Sequence, residues 1–421
     1  MSSLAFLVES RVAQLSRPLA LEWPGGRVGQ ADAPVRLKMR ERQLLPRLAL
    51  GRIGSLADAY VRGDLEIEGE LTDVMALAAE LAGDPVKRGQ TPAWRRLLRR
   101  MRSLWLHRRQ RDAEQVRFHY DLCDDFFALW LDPLRVYSCA YFLKPDMSLA
   151  EAQEAKLELI CRKLQLRPGQ SFLDIGAGWG ALLLWAAERH GVRATGITLS
   201  RDQHAHVNRL IDQKDLRGRA EMRLLDYRDL PETERFDRVA SVGMVEHVGE
   251  ARLDGYFGKL QCLVQPGGLV LNHGITAGGL CNSQLGAGMG DFIDKHIFPG
   301  GELVHVTRME RSLCGAGLEL LDAENLRPHY ARTLWAWSDA LEHNLALARS
   351  LTSEATVRAY RLYLAGCAMS FEQGWLSIYQ LLASRPDGNV ASGFLRGAQS
   401  AYPFNREHMV GEPRRPRLAR C

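Results

Sequence analysis

Leu173-Asp174-Ile175-Gly176-Ala177-Gly178-Trp179-Gly180 is the stretch on which the fold turns. A buried apolar run, Ser171–Ile175, passes through glycines at alternate positions into a helical pattern over residues 181–189 that stops at Gly191. A strand that turns into a helix without β-carbons lets a ligand approach the backbone and meet the free N–H groups of the helix start. Glycines placed only for packing would leave the same trace. A nicotinamide-binding turn would read G-x-G-x-x-G, with an acid about 20 residues on. Here the glycines run G-x-G-x-G and the next strand ends Gly196-Ile197-Thr198, so a dinucleotide is disfavoured. Outward from this turn, strand patterns at 194–198, 221–225, 238–242, 268–273 and 319–325 alternate with helical segments. That is the βαβ rhythm of a mostly parallel α/β sheet, with chemistry expected at the C-terminal strand ends.

The 421 residues predict two or three domains, and 46% hydrophobic with 25% charged residues excludes global disorder. The apolar stretch 181–187 is far short of the roughly 20 residues that span a bilayer, and residues 1–11 lack a secretory pattern. A cytoplasmic protein is expected. Eight cysteines with no CxxC and no His/Cys cluster signal neither a disulfide framework nor a metal. Residues 1–90 read as a small α+β domain, with strands at 19–23 and 35–39, a Pro24-Gly25-Gly26 turn and a helix over 72–81. Residues 91–115 set Trp94, Leu97, Leu98, Met101, Leu104 and Trp105 among arginines including Arg95, Arg96, Arg99 and Arg100. This basic amphipathic linker helix either lies on an anionic membrane surface or packs its stripe on the main domain. That domain occupies 116–390, and 391–421 is a basic tail expected to be disordered.

Asp174 before the first glycine, Asp226 after the third strand and the Gln265-Pro266-Gly267-Gly268 turn resemble class I S-adenosylmethionine (SAM) methyltransferases. Further segments resemble cyclopropane-fatty-acid synthases and their mycolic-acid relatives: His119-Tyr120-Asp121, Trp130-Leu131-Asp132, residues 137–142, Thr198-Leu199-Ser200 with Gln203, and Asp226-Tyr227-Arg228. So do residues 241–249, His273-Gly274-Ile275, residues 297–301 and 330–334, and the helix around Cys367. Residues 1–90, with Tyr60-Val61-Arg62-Gly63, resemble the amino-terminal domain of the full-length synthases, which implies a lipid-handling role. The resemblance implies a class I methyltransferase with a seven-stranded mixed sheet. It implies transfer of a methylene from SAM to the cis double bond of a phospholipid acyl chain. The carbocation so formed loses a proton to bound bicarbonate and closes a ring. A related fatty-acyl methyltransferase giving a methyl- or methylene-branched product is the alternative. The implied partners are a membrane surface, at the inner leaflet, and an unsaturated acyl chain. A homodimer is left open. No nucleic acid is expected, because after the fourth strand the chain reads Gly243-Met244-Val245-Glu246-His247 and carries no base-flipping motif.

Carried over residue by residue, SAM meets Tyr137, Ser138, Asp174, Gly176, Gly178, Thr198, Leu199, Gln203, Asp226 and Tyr227. The anion meets Glu246, His273, Tyr330 and the backbones of Cys139 and Ile275. Blander readings exist for each catalytic candidate. Glu246 also suits a helix start, His273 a hydrogen-bonded core position, and Tyr330 a half-buried one. Cys367, the remaining catalytic candidate, sits in an apolar helix like any small buried hydrophobe, and sulfonium chemistry needs no thiolate. The Gly-rich residues 277–290 read equally as a lid over the acyl chain or as an irregular connection.

Overall fold

A computed structural model describes residues 3–30, 32–86, 103, 124–280, 285–386 and 406–410. The amino-terminal unit holds α1 (Ser3–Ala13), β1 (Leu19–Trp23), β2 (Gly26–Val28), β3 (Val35–Met39), α2 (Leu45–Ala49), α3 (Ile53–Arg62), β4 (Leu65–Glu68) and α4 (Leu71–Ala82). Its sheet has the order β2-β1-β3-β4. The Pro24-Gly25 turn pairs Trp23 with Gly26, with Gly25 at φ +87°. Along β3 the alternation is strict: Val35, Leu37 and Met39 are buried, while Lys38 on the other face donates to Glu68 at 2.6 Å. The inward face of this sheet, with α3 and α4, forms the unit's apolar interior.

The larger unit begins with α5 (Asp124–Ala128) and α6 (Leu149–Lys163), the latter opened by a capping box between Ser148 and Glu151. Then follow β5 (Ser171–Ile175), α7 (Ala181–His190), β6 (Arg193–Thr198), α8 (Arg201–Gln213), β7 (Ala220–Leu224), β8 (Phe236–Val242), α9 (Leu253–Leu263) and β9 (Val264–Ala277). The chain continues through α10 (Met289–His296), α11 (Val306–Gly315), β10 (Glu319–Asn325), α12 (Arg327–His343), α13 (Leu345–Leu351), α14 (Glu354–Glu372) and β11 (Leu376–Ser384). The seven strands are ordered β10-β11-β9-β8-β5-β6-β7. β9, β8, β5, β6 and β7 are parallel, and β11 runs antiparallel between β9 and β10. From β5 the chain winds to β6 and β7 on one side and returns to β8 and β9 on the other, so a crevice opens beyond the C-terminal ends of β5 and β8.

The two units share one apolar core. Leu37, Leu56 and Val74 belong to the same cluster of buried side chains as Tyr330, Tyr363 and Leu364. The linker expected at 91–115 lies outside the described residues apart from Ser103. That serine is buried, donates to Glu302 Oε2 at 2.7 Å and accepts from the Ala251 N–H at 3.2 Å. The expected tail disorder fails at one place, where Glu407–Val410 forms a helical turn, α15. Burial of Met409 beside Leu157 and Ile160, and an ion pair from Arg406 to Asp322, supply the reason. The rest of 391–421 lies outside the described residues, as do His119-Tyr120-Asp121.

Candidate active site

The crevice is built from the glycine turn upward. The Gly176 and Ala177 N–H groups both donate to Ile197 O, at 3.1 and 3.0 Å, folding the turn over the end of β6. The glycines after β5 then divide their tasks. A β-carbon on Gly180 would stand 2.8 Å from Val207 Cγ2, so packing demands glycine there. At Gly178, φ is +55° and a β-carbon would meet nothing within 4 Å, because the position faces open space. The cleft so formed encloses about 1280 Å³ including its mouth, and all ten residues expected to meet SAM line it. Thr198 Oγ1 donates to Gln203 Oε1 at 2.7 Å, spending the acceptor end of that amide. Asp226 caps a short turn by accepting from the Arg228 N–H at 2.9 Å, which places Tyr227 on the cleft wall.

On the opposite wall, Asp132 accepts from the Leu134 and Val136 N–H groups, each at 2.9 Å, and this bend presents Tyr137, Ser138 and Cys139. These residues, with Glu246, His273 and Tyr330, line a second, largely apolar cavity of about 1100 Å³. It meets the cofactor cleft over Tyr137, Ser138, Gly243 and His247. All six catalytic candidates line this cavity. Glu246 Oε2 and His273 Nε2 are buried with no hydrogen-bond partner among the described residues. Burial raises the Glu246 carboxyl to about 7, against the opposing bond from the Ile275 N–H. Burial, aided by Lys156 and Lys163, pushes the His273 imidazolium well below its ordinary range, so the ring is neutral. Gln380 Nε2 lies 3.1 Å from His273 Nδ1, so the amide donates there and the ring proton sits on Nε2. A carboxyl that is about half protonated near neutrality and an imidazole N–H thus line one cavity.

The family model "Mycolic acid cyclopropane synthetase" matches residues 107–381, most of the chain and all of both cavities' catalytic-unit walls. The chain belongs to this family of SAM methyltransferases. Among its relatives, a probable fatty acid methyltransferase of Pseudomonas putida is 42% identical over 375 residues, 88% of this chain and 93% of that protein. Cyclopropane mycolic acid synthase 1 of Mycobacterium tuberculosis is 39% identical over 279 residues, 64% of this chain and 96% of that protein. The crystal structure of mycolic acid cyclopropane synthase CmaA1, complexed with SAH and CTAB, superposes with a TM-score of 0.61 at 37% identity. It covers 65% of this chain and 98% of that one.

Within this synthase family member, one expected role changes. The Ile275 N–H donates to Glu246 Oε1 at 2.6 Å, so it orients the carboxyl and is not offered to an anion; the Ile275 side chain lines the cavity. Cys367 lines the same cavity, and burial raises its thiol to about 12, which keeps it neutral and non-nucleophilic. The Cys139 thiol is likewise raised by burial. Two residues escaped the sequence reading. Lys156, on α6, is fully buried in the cofactor cleft, donates to Ser138 Oγ at 2.8 Å, and is pushed down to about 8 by burial. It faces Asp174, whose burial raises its carboxyl to about 7 and whose Oδ2 has no partner. Its signal is a lysine at the four-residue spacing Ala152, Lys156, Ile160 on the buried face of a helix. Gln380, the second, sits directly opposite His273 in the β9/β11 register. The Gly-rich segment is a packed connection in its described flanks: added β-carbons at Gly278 and Gly286 would strike the Gly374 carbonyl and Pro85.

Proposed function

We propose that this protein transfers a methylene from SAM to the cis double bond of unsaturated phospholipid acyl chains, closing a cyclopropane ring. The observation that carries this reading is the junction of a cofactor cleft with an apolar cavity, into which Glu246 and His273 bring buried polar atoms, Oε2 and Nε2, with no partner among the described residues. An alkene is a weak nucleophile, so its attack on a sulfonium methyl needs alignment and a dry site. The aliphatic and aromatic lining supplies both. Tyr330 lies 4.8 Å from Phe371 between ring centroids, and Tyr137 and Tyr363 hold each other by a 3.2 Å hydroxyl contact; their faces stabilise developing positive charge. Glu246 in its protonated form and the His273 Nε2–H suit the oxygens of a small anion, and we assign them, with Tyr330 and the Cys139 backbone, to hold bicarbonate. Bicarbonate supplies a base for the proton lost on ring closure. Lys156 and Asp174 form the polar floor of the cofactor cleft, and Lys156 positions Ser138 between the two spaces.

No described helix is long and apolar enough to cross a membrane, so the substrate is reached from the bilayer surface in this proposal. The test is incubation with SAM and vesicles of unsaturated phospholipid. Mass spectrometry should find acyl chains heavier by one CH₂, and NMR should find cyclopropyl protons. A branched alkene of equal mass would favour the second reading, a methyl- or methylene-branched product. Two relatives that match 88% and 91% of this chain carry the name probable fatty acid methyltransferase, and that supports it. No acyl product from any unsaturated lipid would overturn both.

A further inference from the structure

Beside the candidate active site lies a second apolar chamber of about 900 Å³, walled mainly by the amino-terminal unit. Leu37 of β3, Leu56 of α3, and Val74, Leu77 and Ala78 of α4 form its far wall. Leu285, Ile293, Tyr363 and Cys367 line both this chamber and the catalytic cavity, so the two adjoin across those four side chains. Among the described residues, no charged side chain lines the chamber. Of its polar groups, Ser370 Oγ donates to Gly366 O at 2.7 Å and the Tyr363 hydroxyl accepts from that of Tyr137. The seam is closed backbone to backbone: Gly54 N donates to Ala287 O at 3.1 Å, and a β-carbon on Gly54 would stand 1.8 Å from Gly288 O. The family model begins at residue 107, beyond every amino-terminal residue of the chamber.

We propose that this chamber receives the methyl-terminal segment of the acyl chain, so that the amino-terminal unit selects substrates by the length of chain beyond the double bond. The inference rests on the acyl-modifying reading above. The occupant follows from chemistry. The ester end of a phospholipid chain carries a polar headgroup that an uncharged, predominantly apolar lining rejects. The hydrocarbon end loses nothing there and leaves water.

Myristoleoyl, palmitoleoyl and oleoyl phosphatidylglycerol share a double-bond position and differ only beyond it, which makes vesicles of each the probe. Ala78→Trp fills the chamber from α4; displacing two buried methylenes should lower the kcat/KM ratio of oleoyl to myristoleoyl lipid about tenfold. Met75→Ala, which enlarges the chamber beside Gly366, should raise the same ratio, with SAM affinity unchanged in both variants. A photo-reactive diazirine at the methyl end of the oleoyl chain should label peptides from residues 19–82, and one beside the ester should not. Ratios unaltered by both variants, or no labelling of 19–82 by the methyl-end probe, would overturn the proposal. If the wild type yields no acyl product yet the methyl-end probe labels α4, the chamber stands and the proposed reaction falls.

Discussion

Glu246 holds one carboxyl oxygen on the Ile275 N–H and buries the other unpartnered, and this asymmetry sets its chemistry. Its raised pKa, about 7, means the fold prefers the protonated form. Stability from this group is complete below the ordinary carboxyl range and is lost as pH rises through about 7. Glu246→Gln removes that dependence, so the melting temperature of the variant relative to wild type should climb between pH 5 and pH 8. The full difference corresponds to about 3 kcal/mol. Turnover of the same variant should fall by roughly 10²-fold with SAM affinity retained, the scale of a positioned acid–base group. A variant with wild-type turnover would remove Glu246 from the chemistry. At Gly178 the opposite separation is expected. Valine there strains a positive φ and fills the cleft, so calorimetry should find no SAM binding by a folded Gly178→Val protein. Cys367→Ser should keep turnover within about threefold, since the thiol it removes is neutral.

Among the elements, β11 carries the most consequence and was the least legible. The glycine turn, β5, β6, β8 and the helix after the turn declared themselves through local spacing, and Asp174 falls near the end of β5 as expected; His273 was read as a strand end, whereas β9 runs on to Ala277 because β11 keeps pairing with it there. Leu376–Ser384 gave no such sign. Its side chains are buried on both faces except at Tyr379, so the alternation that marks a strand is gone, and pairing with β9 on one side and β10 on the other makes it one. Gln380, and with it the His273 tautomer, was invisible for that reason. Gln380→Leu is therefore a positioning test: turnover should drop about tenfold while SAM binding holds, and the imidazole nitrogen NMR shifts should change. Unchanged shifts would show the amide has no hold on the ring. The glycines of 277–290 were illegible for a related reason, since they answer to Pro85, Gly54 and Gly374, all distant in sequence. Gly54→Ala forces the α3 backbone off Gly288 and should cost about 2 kcal/mol in denaturant unfolding.

For the whole molecule, we propose that the arginine-rich segment 91–115 docks on an anionic bilayer surface, the alternative being that its apolar stripe packs on the main domain. Reversing Arg95, Arg96, Arg99 and Arg100 to Glu should greatly weaken sedimentation with anionic vesicles, each charge being worth about 1 kcal/mol near such a surface. Turnover on detergent-dispersed lipid should change much less. Equal, salt-insensitive sedimentation would move the docking surface elsewhere. The sheet order carries a different consequence, one of timing. β11, the last strand among the described residues, inserts between β9 and β10 and joins them. During synthesis, β9 must therefore wait as an open edge, its unpaired backbone available to any passing strand, until residue 384 has left the ribosome. A chain released before residue 376 should accordingly aggregate, even though its glycine turn and every cofactor-contacting residue proposed above are already present.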